Sequence, residues 1–193
     1  MGFITPVLVL SLFVATYISL VAYSINPLSK DQDLILKSAS GRTITVSHTF
    51  IEWLTGFTDA EGNFHISLKS HVGNFFSSVQ LTFQIGLHID DIGVLRYIQS
   101  LLGCGSISVS GDRCNYFVND ISSLYHIILP IFDHFKLNSS KIHIYSIWRQ
   151  AVILLHSGLH LTSLGRQELI LLRQSIAELV KVRSEEHTSE LQS

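Results

Sequence analysis

Asp59 and Glu61 stand one residue apart at the end of a stretch that reads as a helix, FIEWLTGFTDAEG. Thr49 with Glu52 three residues later has the pattern of a capping box, which would start the helix there. Gly62 suits the left-handed residue that closes a helix. Both acids then fall in the last turn, beside the negative end of the helix dipole, where carboxylates are unfavourable. That local conflict is what a cation site would explain, although an amphipathic helix that merely ends in two acids has the same pattern. Gly56 and Ala60 are four apart and share one helix face, where their small size would let a second helix backbone approach closely.

The segments that follow alternate. Phe64, Ile66 and Leu68 face one way, and His65, Ser67, Lys69 and His71 the other. After a turn signal at Gly73-Asn74, Val79, Leu81, Phe83 and Ile85 point inward, and Gln80, Thr82 and Gln84 outward. The resulting hairpin has one apolar face and one face of hydrogen-bonding side chains. A plain solvated sheet face has the same alternation. Amides, hydroxyls, His and Lys also suit the edges of bases, since Gln pairs bidentately with adenine and Lys with guanine.

These strands need a framework. Asp90 to Leu102 has helical spacing and stops at Gly103-Cys-Gly105. Ser106 to Ser110 and Asn115 to Asn119 read as paired strands across Gly111-Asp112, and Ile121 to Phe135 as a helix interrupted at Pro130. Lys141 to His156 and Thr162 to Lys181 read as two further helices. The order predicts one four-stranded antiparallel sheet under helices, an α+β domain.

WLTGFTDAEGNF (53–64) resembles the LAGLIDADG motif of homing endonucleases, and Leu54 to Gly62 aligns with that nonapeptide without gaps. The resemblance continues in order through LTFQI (81–85), DIGVLRYIQSLLGCGSI (91–107), LNSSKIHIYSIW (137–148) and HLTSLGRQELI (160–170). It implies the LAGLIDADG homing-endonuclease fold, α-β-β-α-β-β-α with a saddle-shaped antiparallel sheet. As in the single-motif members encoded in organellar introns, it implies a homodimer acting in a mitochondrion or chloroplast. The implied activity is a double-strand break at a long pseudo-palindromic DNA site by Mg²⁺-dependent phosphodiester hydrolysis. Glu61 takes the place of the metal-binding, catalytic carboxylate. Gly56 and Ala60 pack the two motif helices, and Asp59 supports the helix end or that interface. Lys141 matches the basic active-site position that stabilises charge on phosphate. His65, Ser67, Lys69, Gln80, Thr82, Gln84 and Arg113 are the DNA-facing candidates. The alternatives are a maturase that binds intron RNA and aids splicing, or an inactive relic fused to a membrane-protein exon.

The flanks differ in character. Residues 1–29 carry no charged side chain. Phe3 to Ile25, at ~1.5 Å per residue, reaches across a ~30 Å hydrocarbon core and reads as a transmembrane, exon-derived segment able to associate with a membrane. Residues 30–47 read as a linker and 48–182 as the endonuclease-like domain. RSEEHTSELQS (183–193) is polar, lacks a helical apolar stripe and resembles a translated sequencing adapter, hence an artefactual tail.

The whole chain of 193 residues has 13 Lys+Arg against 15 Asp+Glu, 15% charged residues and a mean hydropathy of +0.36, which exclude a disordered polyelectrolyte. Two cysteines exclude a disulfide scaffold and a four-cysteine zinc site. Residues 48–182 hold nine basic against ten acidic side chains, so a polyanion partner requires the cations to be segregated on one face. His156 and His160 are four apart but separated by Gly158, and read as surface histidines. Cys104 and Cys114 read as reduced packing residues, and Trp53 and Trp148 as core.

Overall fold

The computed structural model describes residues 33–38, 41–70 and 76–190. It begins with a hairpin, β1 (Leu34–Lys37) and β2 (Thr43–Val46), paired from Leu34↔Val46 to Lys37↔Thr43. Leu34, Leu36, Ile44 and Val46 are buried, and the residues between them are exposed. The linker expected over residues 30–47 is therefore corrected: 34–46 form a half-buried ladder that packs on the domain. Strands of four residues are too short for their alternation to stand out in the sequence.

Helix α1 (His48–Glu61) follows directly. Its cap is Ser47, whose Oγ accepts from the Phe50 N–H at 3.3 Å, a bond of about 1 kcal/mol. The expected cap at Thr49 is displaced by two residues, and Glu52 instead meets His48 at 3.5 Å on the exposed surface. Phe50, Ile51, Leu54, Thr55 and Thr58 form the buried face of α1. Trp53, Gly56 and Ala60 lie on the opposite, exposed side, with Phe57 half-buried. Trp53 was expected in the core. It is 40% exposed and stacks on Phe57 with ring centroids 5.0 Å apart.

Strands β3 (Gly62–Ser70) and β4 (Phe76–His88) form the first hairpin, and β5 (Ser106–Ser110) and β6 (Arg113–Val118) the second. The sheet order is β3-β4-β6-β5, all neighbours antiparallel. Between the hairpins lies α2 (Ile92–Leu102), entered by a 3₁₀ turn at Ile89–Asp91. The segment expected as one helix over 121–135 is α3 (Ile121–Ser123), a π-helical turn (Leu124–Ile128) and α4 (Leu129–His134) with Pro130 in its first turn. Then come α5 (Lys141–His156) and α6 (Ser163–Glu190). Helix α6 runs on to Glu190, into the segment read as a polar tail that lacks a helical apolar stripe.

One sheet face is covered by helices. Phe64 and Phe83 pack there with Phe132, Tyr145 and Trp148, with ring centroids 5.0–5.7 Å apart for Phe64 against Phe132, Tyr145 and Trp148. Helix α5 is tied to β3 by Trp148 Nε1 donating to the His65 carbonyl at 3.2 Å. It is tied to α4 by Arg149, which donates to both Asp133 oxygens, and by Tyr145, whose hydroxyl donates to the same carboxylate. The α+β expectation holds.

The transmembrane expectation finds no support among the described residues. No helix among the described residues is long and apolar enough to cross a membrane. The longest, α6, carries Arg166, Glu168, Arg173, Glu178 and Lys181 at intervals no hydrocarbon core would accept. Phe3 to Ile25 and the Gly73-Asn74 turn lie outside the described residues.

Candidate active site and nucleic-acid interface

Helix α1 and strand β3 meet with no residue between them. Gly62 is extended, φ −78° and ψ 155°, rather than left-handed, and its N–H closes the helix on the Thr58 carbonyl. Glycine is needed here for room. A Cβ would strike Thr58 Cγ2 and come within 2.7 Å of the Thr58 carbonyl oxygen. The backbone can therefore turn from helix into strand in one step, which leaves Glu61 exposed at the corner. Among the described residues no hydrogen bond or ion pair engages the Glu61 carboxylate.

Asp59 has a different task. Its carboxylate accepts from the Asn138 N–H at 2.7 Å, the Ser139 N–H at 3.2 Å and the Ser139 hydroxyl at 2.6 Å. Partial burial opposes ionisation, but these hydrogen bonds and the Lys141 charge outweigh it and hold the Asp59 carboxyl below its ordinary value. Lys141, at the first turn of α5, reaches the opposite way. Its Nζ donates to the carbonyls of Thr58 at 3.1 Å and Ala60 at 2.8 Å. The two bonds sets cross: the acid near the end of α1 holds the entry to α5, and the base at the start of α5 holds the end of α1. A cation on the last carbonyls also opposes the helix dipole, which relieves the conflict legible in the sequence.

The other half of the site is the uncovered sheet face. His65, Ser67, Lys69 and Gln80 are exposed on it, and Thr82 and Gln84 are half-buried. Register places His65 opposite Thr82, Ser67 opposite Gln80, and Asn63 opposite Gln84. Arg113 shares this face at the far end of β6, opposite His88 and Ser110. Burial pushes the His65 imidazole below its ordinary value, so it is neutral at pH 7. The sequence reading left out Asn63, Ser106, Ser108, Ser110, Asn115 and Phe117, which the register brings to the same face. Their signal was the parity of β6, where Cys114, Tyr116 and Val118 are the buried set.

Gly56 and Ala60 are exposed on the outward side of α1, and a Cβ at Gly56 would meet nothing within 4 Å. Among the described residues no group of three or more His, Cys, Asp and Glu could hold a metal ion. One chain brings Glu61 to the corner as a single carboxylate, which matches Mg²⁺, an ion held by one or two carboxylates with substrate phosphates completing its shell. His156 ends α5 and stacks on Tyr125 at 3.7 Å, whereas His160 lies in a separate 3₁₀ turn. Both cysteines are free thiols; Cys114 is buried and donates to the His88 carbonyl.

The pattern of the LAGLIDADG endonuclease family matches residues 54–152, just over half of the chain. The chain belongs to the LAGLIDADG endonuclease family. Within it, the chain is 31% identical over 105 residues to "Probable intron-encoded endonuclease 2" of Neurospora crassa, covering 53% of this chain and 22% of that protein. It is 30% identical over 105 residues to "Uncharacterized mitochondrial protein RF1" of Saccharomyces cerevisiae, covering 54% of this chain and 21% of that protein. The chain thus spans less than a quarter of the length of these curated relatives. The solved structure of I-SmaMI bound to an uncleaved DNA target in the presence of calcium ions superposes with a TM-score of 0.63 at 27% identity, covering 66% of this chain and 45% of that one. The motif that carries Glu61 is inside the matched LAGLIDADG region, and so is Lys141.

Proposed function

We propose that this LAGLIDADG domain is a site-specific DNA endonuclease of intron homing, acting in mitochondria as a homodimer. The observation that carries this reading is the corner at Glu61: an exposed carboxylate where an open small-residue helix face meets an open polar sheet face. The relatives supply the context, since their names connect them with introns, endonucleases and mitochondria.

Two chains packed α1 against α1 through Gly56 and Ala60 bring two Glu61 carboxylates together, one for each strand to be cut. When bound there, Mg²⁺ neutralises phosphate charge and lowers the pKa of a water. Glu61 holds the ion from the protein side. Asp59 and Lys141 fix the end of α1, and the Lys141 ammonium adds positive potential where the phosphate gains negative charge. The sheet face lies in the major groove, which admits a two-stranded ribbon.

The test is cleavage of duplex DNA spanning the joined exons by the purified chain in Mg²⁺. Glu61→Gln should lower cleavage by at least about 10²-fold, as expected for a group that supports charge in the transition state, and leave binding intact. Cleavage unchanged in Glu61→Gln removes the assignment of Glu61. A wild-type chain that leaves DNA intact and binds intron RNA tightly turns the reading towards the maturase.

A further inference from the structure

The row of outward residues nearest Glu61 runs Asn63, Gln84, Phe117 and Ser106 across all four strands. One step further along, Asn115 of β6 lies opposite Gly86 of β4. Asn115 does not stand up from the sheet. Its carboxamide lies over β4, where a Cβ on residue 86 would come within 2.8 Å of Asn115 Oδ1. There it accepts from Gln84 Nε2 at 2.9 Å. No other described residue engages either amide.

This bond holds the Gln84 carboxamide against Asn115. Gln84 Nε2 carries two hydrogens, and one is spent on Asn115. The second hydrogen and Oε1 remain side by side. That donor–acceptor pair is the pattern which adenine complements in the major groove, with N7 accepting and N6–H donating. An unheld Gln side chain turns its amide freely and loses rotamer entropy on binding; a held one is ordered before the DNA arrives. Phe117 stands directly opposite Gln84 on β6 and offers an apolar surface of the kind that meets a thymine methyl.

We propose that Asn115, lying over Gly86, orients Gln84 into a preorganised adenine reader, and so sets a preference for A·T at the base pairs nearest the cut. The proposal rests on the endonuclease reading and deepens it. Gln84 is the residue that touches the base, and Asn115 is a positioning residue.

The experiment uses the full chain with a pool of randomised duplex DNA in Ca²⁺, and sequences the bound fraction. The wild type should enrich one sequence family with adenine at a symmetric pair of positions. Asn115→Ala should lower the adenine preference at that pair by roughly 5- to 100-fold and leave the other positions as they were. Gly86→Ala, which evicts Asn115 from its place, should do the same. Asn115→Asp keeps the acceptor for Gln84, so adenine preference should persist while the added negative charge weakens binding to every sequence. A bare structural role would not separate these variants. The proposal is overturned, with the endonuclease reading intact, if the wild type enriches a sequence but Asn115→Ala and Gly86→Ala yield the same pool or lose preference everywhere. It is also overturned if the position they control prefers a base other than adenine. A wild-type chain that enriches no sequence overturns both.

Discussion

The end of α1 and the outward face of the sheet are two halves of one site, held in opposite ways. The helix end is pinned from two sides, by Asp59 on Asn138 and Ser139 and by Lys141 on Thr58 and Ala60. It is also pressed against its own strand, with no space for a Cβ at Gly62. On the sheet face, Gln84 is tied across strands to Asn115 by one side-chain bond. In the proposed nuclease the carboxylate must be placed to a fraction of an ångström, which an over-determined scaffold around it serves. Base reading needs side chains that differ from one target to another, and a face with few mutual bonds can change one residue at a time.

The sharpest way to break this contrast is at the two glycines of the motif. A Cβ at Gly56 would meet nothing within 4 Å, so Gly56→Leu should make the monomer more stable by about 0.5–1 kcal/mol from helix propensity. Association should nevertheless be lost, which sedimentation velocity would report; a dimer that persists removes α1 from the interface. Gly62→Ala should instead cost about 1–3 kcal/mol, because a Cβ would strike the buried Thr58 side chain and also its backbone carbonyl, which cannot move aside. Urea denaturation would measure it, and a neutral result would mean that the helix–strand corner is looser than described.

Asp59→Asn comes next. It should cost about 1–2 kcal/mol near neutral pH, toward the lower end because the carboxylate is half-exposed. The sign with pH follows from its lowered native pKa. The wild-type advantage is complete above the ordinary value of 3.8 and disappears as pH falls through the lower native value. Denaturation of both proteins at about pH 7 and about pH 2 would show the gap close. The smallest effect belongs to the sheet. Lys69→Ala should weaken DNA binding evenly over sequences and reduce the slope of log affinity against log salt by about 1, read by titration at several salt concentrations.

The sequence exposed the pinned half better than the open one. Asp59 and Glu61 at a helix end are a local pattern, and the strand alternation from Phe64 to Ile85 put Gln80, Thr82 and Gln84 on one face. What pins that half was not legible, because Asp59 and Ser139 lie 80 residues apart. Register between β4 and β6 is equally long-range, and without it Asn115 is only a polar residue in a short strand. Trp53 was misplaced for a related reason. A helical stripe says that a face avoids water, not whether its cover comes from the same chain. The β1–β2 hairpin was lost to brevity, and the cap moved to Ser47 because Thr49, like Ser47, has a hydroxyl suited to capping.

The loopless corner at Gly62 turns β3 into a ruler. Outward residues along a strand recur every ~6.7 Å, close to two steps of ~3.4 Å along a duplex. Asn63, His65, Ser67 and Lys69 are therefore graduations counted from Glu61, and a duplex laid along them has its cut position and its read positions in fixed ratio. A single inserted residue between Glu61 and Asn63 would turn every graduation to the wrong side of the sheet. On the endonuclease reading proposed above, the spacing between cut and recognition is thus written in the backbone, not in any side chain.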